Sequence, residues 1–157
     1  MQKLIISPLI LMAFLVTNSA NTAELSAAFE DEKPLKIAAI QAMYEQDISH
    51  QGMDYPVVLQ QYANQDLQAA MQLEQDYFDK EQMSCHIGHD VLWDSQDPDY
   101  AQQKQFSMTA AGWVQVSLAQ GSLVYYDLTC EDTHCTVADV ILEDGRSFKN
   151  YLIENCR

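Results

Sequence analysis

Basic residues are scarce in this chain, and their scarcity limits the partners that it can bind. The 157 residues include 8 Lys and Arg against 23 Asp and Glu, so the formal net charge is -15. A surface of that charge repels phosphate backbones, and nucleic acid is therefore not an expected partner. The charge favours cationic partners, although a protein that needs it only for solubility would carry the same excess.

Long apolar runs are absent too. Residues 4–16 are almost entirely apolar, but this run is shorter than the roughly 20 residues that a membrane-spanning helix needs. Lys3 precedes the run and Asn21-Thr22-Ala23 resembles a cleavage site, so residues 1–23 are predicted to be a secretory signal peptide; the alternative is an uncleaved anchor or buried helix. Cleavage would leave 7 basic and 23 acidic residues in 24–157, a single predicted domain of charge -16 without a membrane span.

Catalytic and cofactor-binding motifs are missing as well. The sequence contains no GxSxG, no phosphate-binding P-loop, no dinucleotide-binding fingerprint and no HExxH. Residues 94–99 are acidic but lack the central glycine and the distant glutamate of a calcium-binding loop. We therefore expect no cofactor, and we favour a protein that is not an enzyme.

Cysteine occurs at only four positions, Cys85, Cys130, Cys135 and Cys156. An even number in a chain with a predicted signal peptide indicates disulfides and a periplasmic or secreted location. Three connectivities are possible, and we favour Cys130 with Cys135 because an antiparallel register across the short 131–134 connection brings their α-carbons within range. That choice leaves Cys85 with Cys156. The spacing is not CxxC, so we do not expect a redox role.

Three runs in the C-terminal part alternate apolar and polar residues with the period of two that a half-buried strand requires. They are residues 113–118, 123–130 and 135–142. Ser147 then has the position of an N-cap for a final helix, whose Phe148 and Leu152 fall on one stripe. The pattern predicts an antiparallel meander covered by one C-terminal helix.

Helical spacing dominates the region before these strands. A first helix is expected to enter at Pro34 and end at Gly52, and a short helical element is expected to follow Pro56. Asn64 is a predicted N-cap for a third helix, whose Met71, Tyr77 and Phe78 are interpreted as core residues. Helices first and strands second indicate an α+β domain.

Four short segments of the chain carry a resemblance to a known family. They are residues 39–46, residues 62–71, Asp90-Val91-Leu92-Trp93 with Gln96-Asp97, and Val137-Ala138-Asp139-Val140 with Gly145-Arg146-Ser147-Phe148. They resemble bacterial periplasmic proteins defined only as a domain of unknown function, with a fold similar to that of nuclear transport factor 2. An aromatic residue commonly stands in that family where this chain has Thr136. The resemblance implies N-terminal helices packed on a curved, cone-like (cystatin-like) antiparallel sheet, and it implies no particular activity.

Enzymes with cone-like folds place acids and tyrosines in the pocket between sheet and helices, which makes Asp139, Tyr125 and Asp127 the candidate catalytic residues. Asp139 is expected between Val137 and Ile141 on one face of its strand, where an apolar pocket would raise its pKa and let it act as a general base. The alternative is structural. Near the helix that begins after Ser147, the carboxylate would instead accept hydrogen bonds from the helix N-terminus.

A second group of polar residues lies in the irregular segment 84–100. His86, His89 and Asp90 are the weak candidates for a metal site, because two imidazoles and a carboxylate are a ligand set that zinc accepts. The simpler interpretation is a solvated loop without metal. The candidates for a binding surface in this loop are Asp90, Trp93, Asp94, Asp97 and Asp99.

These observations favour a secreted periplasmic module that binds or inhibits without catalysis. Its partner would be a cationic protein, such as a cell-wall-acting enzyme or a toxin, or else a small ligand. The first alternative is a pocket enzyme that uses Asp139 as general base. The second is a structural envelope protein without a ligand.

Overall fold

The computed structural model describes residues 20–86 and 88–157, so most of the predicted signal peptide lies outside the described residues. Helices come first, strands follow and one helix closes the chain, which confirms the α+β prediction. No helix of the described part is long and apolar enough to cross a membrane. The elements in order are α1 (Ala20–His50), α2 (Val58–Tyr62), α3 (Gln65–Glu81), β1 (Lys104–Met108), β2 (Val114–Leu118), β3 (Leu123–Glu131), β4 (His134–Ile141) and α4 (Phe148–Asn155).

The four strands form one antiparallel sheet in the order β1-β2-β3-β4, and the sheet curls without closing. The alternation predicted for β2 and β3 is confirmed over residues 114–118 and 123–128, where every second residue is buried, whereas Cys130 near the end of β3 is only partly buried. Their buried side chains face α1 and form the centre of the core with Ile40, Met43 and Leu59. The strand residues concerned are Val114, Val116, Leu118, Val124, Tyr126 and Leu128.

A β-bulge interrupts the alternation in β4. Tyr126 pairs with Val140 and Leu128 with Val137, so Ala138 and Asp139 together stand opposite Asp127 alone. The extra residue shifts the strand by one position, and Val137 and Val140 both enter the core. The prediction that Asp139 shares a strand face with Val137 is therefore wrong. Asp139 lies on the face of Asp127, away from the core valines.

Helix α1 is longer than its sequence predicts. Pro34 lies inside the helix and not at its first turn. Proline removes one helical hydrogen bond, but its φ suits a helix, and the residues that follow pack on the core along one stripe. The helix ends at His50, and Gln51 and Gly52 adopt positive φ values of 53° and 69° immediately after it.

Side-chain caps begin α3 and α4 as predicted. The Leu67 N–H donates to the Asn64 side chain over 2.9 Å, and the Asn150 N–H donates to Ser147 over 3.0 Å. Met71 is buried, but the prediction that Phe78 belongs to the core is wrong, since 47% of its surface is exposed. Phe78 lines an open groove.

Two disulfides join the cysteine pairs that the sequence favours. Cys130 and Cys135 close the β3–β4 hairpin with a Cα–Cα distance of 4.0 Å. Cys85 and Cys156, 5.3 Å apart at Cα, fasten the segment after α3 to the end of α4. Cys156 is buried within the core, so this bridge ties the irregular segment 84–100 to the folded body.

Candidate binding groove

An open groove of about 930 Å³ lies beside α2 and α3. Its lining comes from residues 55–60 of the α1–α2 connection and α2, from one face of α3 between Met71 and Asp79, and from residues 88–92 of the irregular segment. Asp47 of α1, which is buried, also lines the groove. We call this feature the acidic groove, because Asp and Glu are the charged residues that line it.

Exposed apolar side chains cluster at the acidic groove. The large apolar residues that are exposed in the described chain all belong to residues 53–57 or 78–83, and three of them line the groove directly. Those three are Tyr55, which is 91% exposed, Val57 and Phe78. Contiguous apolar surface of this kind marks an interaction site more often than single scattered residues do.

The charged lining of the groove is acidic. Asp47, Glu74, Asp79 and Asp90 line it, and no Lys or Arg does so in the described residues. His86 and His89 also line it, but each already has a carboxylate partner: His86 Nε2 is 2.7 Å from Glu74, and His89 Nε2 is 3.2 Å from Asp94. A basic segment would therefore find complementary charge along the groove.

Asp47 is the most deeply placed of these acids, with only 3% of its surface exposed. The Trp93 indole Nε1–H donates to its Oδ2 over 2.6 Å. Burial raises the pKa of Asp47 in spite of that hydrogen bond. Burial likewise raises the pKa of Asp90, and the neighbouring charge of Asp47 raises it further. Two carboxylates at this end of the groove thus lack full compensation for their charge.

Hydrogen bonds hold this end of the groove in place. The Tyr44 hydroxyl donates to the Leu92 carbonyl and receives a hydrogen bond from Tyr126 over 2.9 Å. Burial raises the pKa of the Tyr44 hydroxyl far above the physiological range, so the hydroxyl keeps the proton that it donates. Gln120 Nε2 also donates to the Trp93 carbonyl over 2.8 Å. The segment that carries Asp90 is therefore fixed to α1 and to the sheet.

The predicted binding residues of the 84–100 loop do not lie together on one surface. Asp90 lies in the acidic groove, where it accepts the Leu92 N–H over 2.8 Å. Trp93 is fully buried and cannot touch a partner. Asp94 is 3.2 Å from His89 at a separate cavity of about 370 Å³, and Asp97 and Asp99 are outside the groove lining.

Several groove residues were absent from the sequence predictions. Asp47, Tyr55 and Phe78 line the groove, but helical spacing placed Phe78 in the core and gave no signal for Tyr55. Asp47 had a usable signal, because it stands three residues after Tyr44 on the buried face of α1. An acid on such a face needs a partner or a function.

The weak metal candidates are not brought together as a ligand set. His86 pairs with Glu74 and His89 with Asp94, while Asp90 accepts a backbone N–H. Within residues 20–86 and 88–157, no group of three or more His, Cys, Asp or Glu side chains is arranged to hold a metal ion.

The catalytic candidates lie away from the acidic groove. Asp139 is buried at the start of α4, where its two oxygens accept hydrogen bonds from the Ser147 hydroxyl and, over 3.0 Å, from the Lys149 N–H. Asp127 is directly opposite on β3. Tyr125 packs edge-on against Trp113 with ring centroids 6.4 Å apart. Asp139 therefore has the surroundings of a helix-capping acceptor.

Comparison of the chain with protein-family models, curated proteins and solved structures gave no match. The resemblance to periplasmic proteins with the nuclear transport factor 2-like fold therefore stays a prediction. The evidence about function is the geometry of the acidic groove.

Proposed function

We propose that the protein is a secreted periplasmic module that binds, and thereby inhibits, a cationic protein such as a cell-wall-acting enzyme or a toxin. The observation that carries this proposal is the acidic groove, which combines exposed apolar side chains with an acidic lining that has no Lys or Arg among the described residues. Tyr55 and Phe78 offer apolar contact area, which supplies affinity. The acids steer a basic partner and discourage acidic ones.

Three features support the periplasmic or secreted location. Residues 1–23 have the pattern of a signal peptide. The chain has two disulfides, which persist in oxidising compartments. No described helix could cross a membrane. Membership of the periplasmic nuclear transport factor 2-like family would agree with this location and forms part of the proposal.

Affinity capture tests the proposal. Immobilised residues 24–157 are incubated with the envelope fraction of the producing cells, and retained proteins are identified by mass spectrometry. We expect basic proteins to be retained at low ionic strength, with an association rate that falls steeply as salt rises, because screening weakens attraction beyond about 10 Å at 0.1 M salt.

A groove variant supplies the matched control. Tyr55→Ala combined with Phe78→Ala removes two exposed rings and should abolish retention without unfolding the protein. Tyr151→Ala removes a ring that packs under Arg146 outside the groove, and this variant should retain the same proteins as the wild type. Failure of the wild type to retain any basic protein would contradict the proposed function, and equal retention by the groove variant would contradict the role of the groove.

A further inference from the structure

Two carboxylates of the acidic groove, Asp47 and Asp90, have no Lys or Arg partner within the described chain, and the nearby charges of His50 and His89 lower their pKa values less than burial raises them. Asp54, close to the groove, illustrates the usual arrangement, because it pairs with His50 over 2.6 Å. Asp47 and Asp90 form no such ion pair with Lys or Arg. Asp47 Oδ2 accepts the Trp93 indole N–H, and Asp90 accepts the backbone N–H groups of Leu92 and Trp93, so neutral donors are the hydrogen-bond partners described for both carboxylates.

Keeping Asp47 and Asp90 charged without a Lys or Arg partner lowers the stability of the folded protein. A buried carboxylate without a counter-ion loses the solvation that it has in water. Two such groups near one another also repel, and this is the effect by which Asp47 raises the pKa of Asp90. A cation placed between them would offset both costs. The arrangement has the form of an ion site whose positive member comes from another molecule.

The walls of the groove indicate what kind of cation fits. Tyr55, Val57 and Phe78 give it an apolar lining that a free metal ion or a small hydrated cation would not use. Lys and Arg have apolar stems that pack along such surfaces while the charged head reaches a carboxylate. A volume of about 930 Å³ leaves room for a short polypeptide segment beside the basic side chain.

We infer that the Asp47–Asp90 end of the acidic groove binds a lysine or arginine side chain of the partner, presented by a segment whose neighbouring residues are apolar. The stem of that side chain packs on the apolar wall and its head lies against the two carboxylates. This inference rests on the proposed function, since it names the chemical group through which a cationic partner is recognised.

Trp93 provides a specific reporter for this site. Its indole N–H donates to Asp47, yet the ring is fully buried and does not line the groove. A cation on Asp47 therefore changes the indole N–H resonance without touching Trp93. The chain has two tryptophans, and Trp113 packs against Tyr125 outside the groove, so its indole resonance serves as an internal control.

The experiment is an NMR titration of ¹⁵N-labelled residues 24–157 with three end-capped peptides. Each peptide has leucines on both sides of a central lysine, arginine or norleucine, so that the peptides share apolar surface and differ in charge. We expect the lysine and arginine peptides to shift the Trp93 indole signal and to bind about tenfold more tightly than the norleucine peptide, because a charged hydrogen-bonded pair contributes that much. The Trp113 signal should not move.

Asp→Asn variants, which keep the shape of the side chain and remove its charge, show which carboxylates give the preference for basic peptides. Asp47→Asn keeps an oxygen for the Trp93 indole, and Asp90→Asn keeps an acceptor for the Leu92 N–H, so both should fold. Each should abolish the preference for the basic peptides. Asp97→Asn removes one charge outside the groove lining and should leave that preference unchanged. The dispersion of the amide spectrum reports folding, and Asp90→Asn alone decides the question if Asp47→Asn unfolds.

Several outcomes would overturn the inference. Equal affinity for the norleucine peptide would mean that only apolar contacts operate. Retention of the preference in both Asp47→Asn and Asp90→Asn would place the cation elsewhere. A Trp93 shift produced by calcium or magnesium chloride alone, and lost in Asp47→Asn, would assign the site to a metal ion. If envelope proteins are captured but Trp93 does not respond to the basic peptides, this inference fails while the proposed function stands. If Trp93 responds but no basic envelope protein is captured, the proposed function fails while the basic side-chain site stands.

Discussion

Asp139 shows how one inserted residue changes the role of a side chain. In the sequence it stands between apolar neighbours, as a buried catalytic acid would. The bulge at Ala138 turns it away from Val137, and both carboxylate oxygens face the first turn of α4. At that position the helix dipole and the free N–H groups stabilise a negative charge.

Replacement of Asp139 by alanine should therefore lower the free energy of unfolding by about 2 kcal/mol, since hydrogen bonds from the Ser147 hydroxyl and the Lys149 N–H would be lost. Urea denaturation followed by circular dichroism measures the change. Asp127→Ala, on the opposite strand, removes a facing like charge and should cost much less. A stability within 0.5 kcal/mol of the wild type, together with loss of an enzymatic activity, would point to the catalytic alternative instead.

Local residue roles were predictable where the cause is local. Asn64 and Ser147 cap the helices that follow them, and a cap depends on a few consecutive residues. The environment of Asp47 was not predictable in the same way. Its hydrogen-bond partner Trp93 is 46 residues away, and only the folded chain brings the two together.

At the scale of elements, the end of α1 is fixed by a close packing contact. Gly52 has a φ of +69°, and a Cβ at this position would collide with the hydroxyl of Tyr100. The Tyr100 ring packs edge-on against the buried Trp93 with centroids 5.4 Å apart, so it has limited freedom to move. The turn after α1 and the irregular segment 84–100 therefore depend on one another.

Gly52→Ala should lower the free energy of unfolding by about 2 kcal/mol, from backbone strain and from the collision with Tyr100. Gly88→Ala is the matched control, because its φ is +70° and, apart from its chain neighbours, no heavy atom of the described residues lies within 4 Å of the added Cβ; it should cost about 1 kcal/mol. In a Tyr100→Phe background the nearest ring atom is 3.2 Å away, so Gly52→Ala should approach the cost of the control. Equal costs of Gly52→Ala in both backgrounds would show that the hydroxyl is not the obstacle.

Elements with strong periodicity were predicted well, and their departures have identifiable causes. The alternation of β2 and β3 located both strands. The bulge in β4 escaped prediction because strand pairing, and not residue type, decides where an extra residue is accommodated. Pro34 was interpreted as a helix start because proline is common in the first turn, whereas the packed stripe that follows it belongs to a longer helix.

At the scale of the whole molecule, the two disulfides differ in the length of chain that they close. Cys85 and Cys156 are separated by 71 positions, and Cys130 and Cys135 by 5. Loop-closure entropy then gives about 4 kcal/mol for the long bridge and about 2 kcal/mol for the short one. The long bridge also holds the segment that supplies Asp90 to the acidic groove.

Replacement of Cys85 and Cys156 together by alanine should thus destabilise the protein by about 2 kcal/mol more than replacement of Cys130 and Cys135. Urea midpoints and slopes of both double variants measure the difference, and each variant is the control for the other. A larger loss from the short bridge would contradict the entropy argument and would indicate that native packing around the β3–β4 hairpin dominates.

The sequence predicts the α+β architecture and both cysteine pairs, but it does not predict the acidic groove. The walls of the groove come from three stretches, around residues 55, 74 and 90, that are far apart along the chain. Each stretch alone looks like an ordinary helix face or loop. Their meeting depends on how α2, α3 and the irregular segment pack, which no local pattern encodes.

The Cys85–Cys156 bridge also determines what a proteolytic cut would do to the chain. With it, the chain from residue 85 to residue 156 is a covalently closed loop that contains all four strands and α4. A single cut anywhere in that loop, for instance at the exposed turn around Asp132, leaves both pieces attached to one another. The nicked protein would then keep its parts at high effective concentration and could hold its core together, so one cleavage would not release fragments.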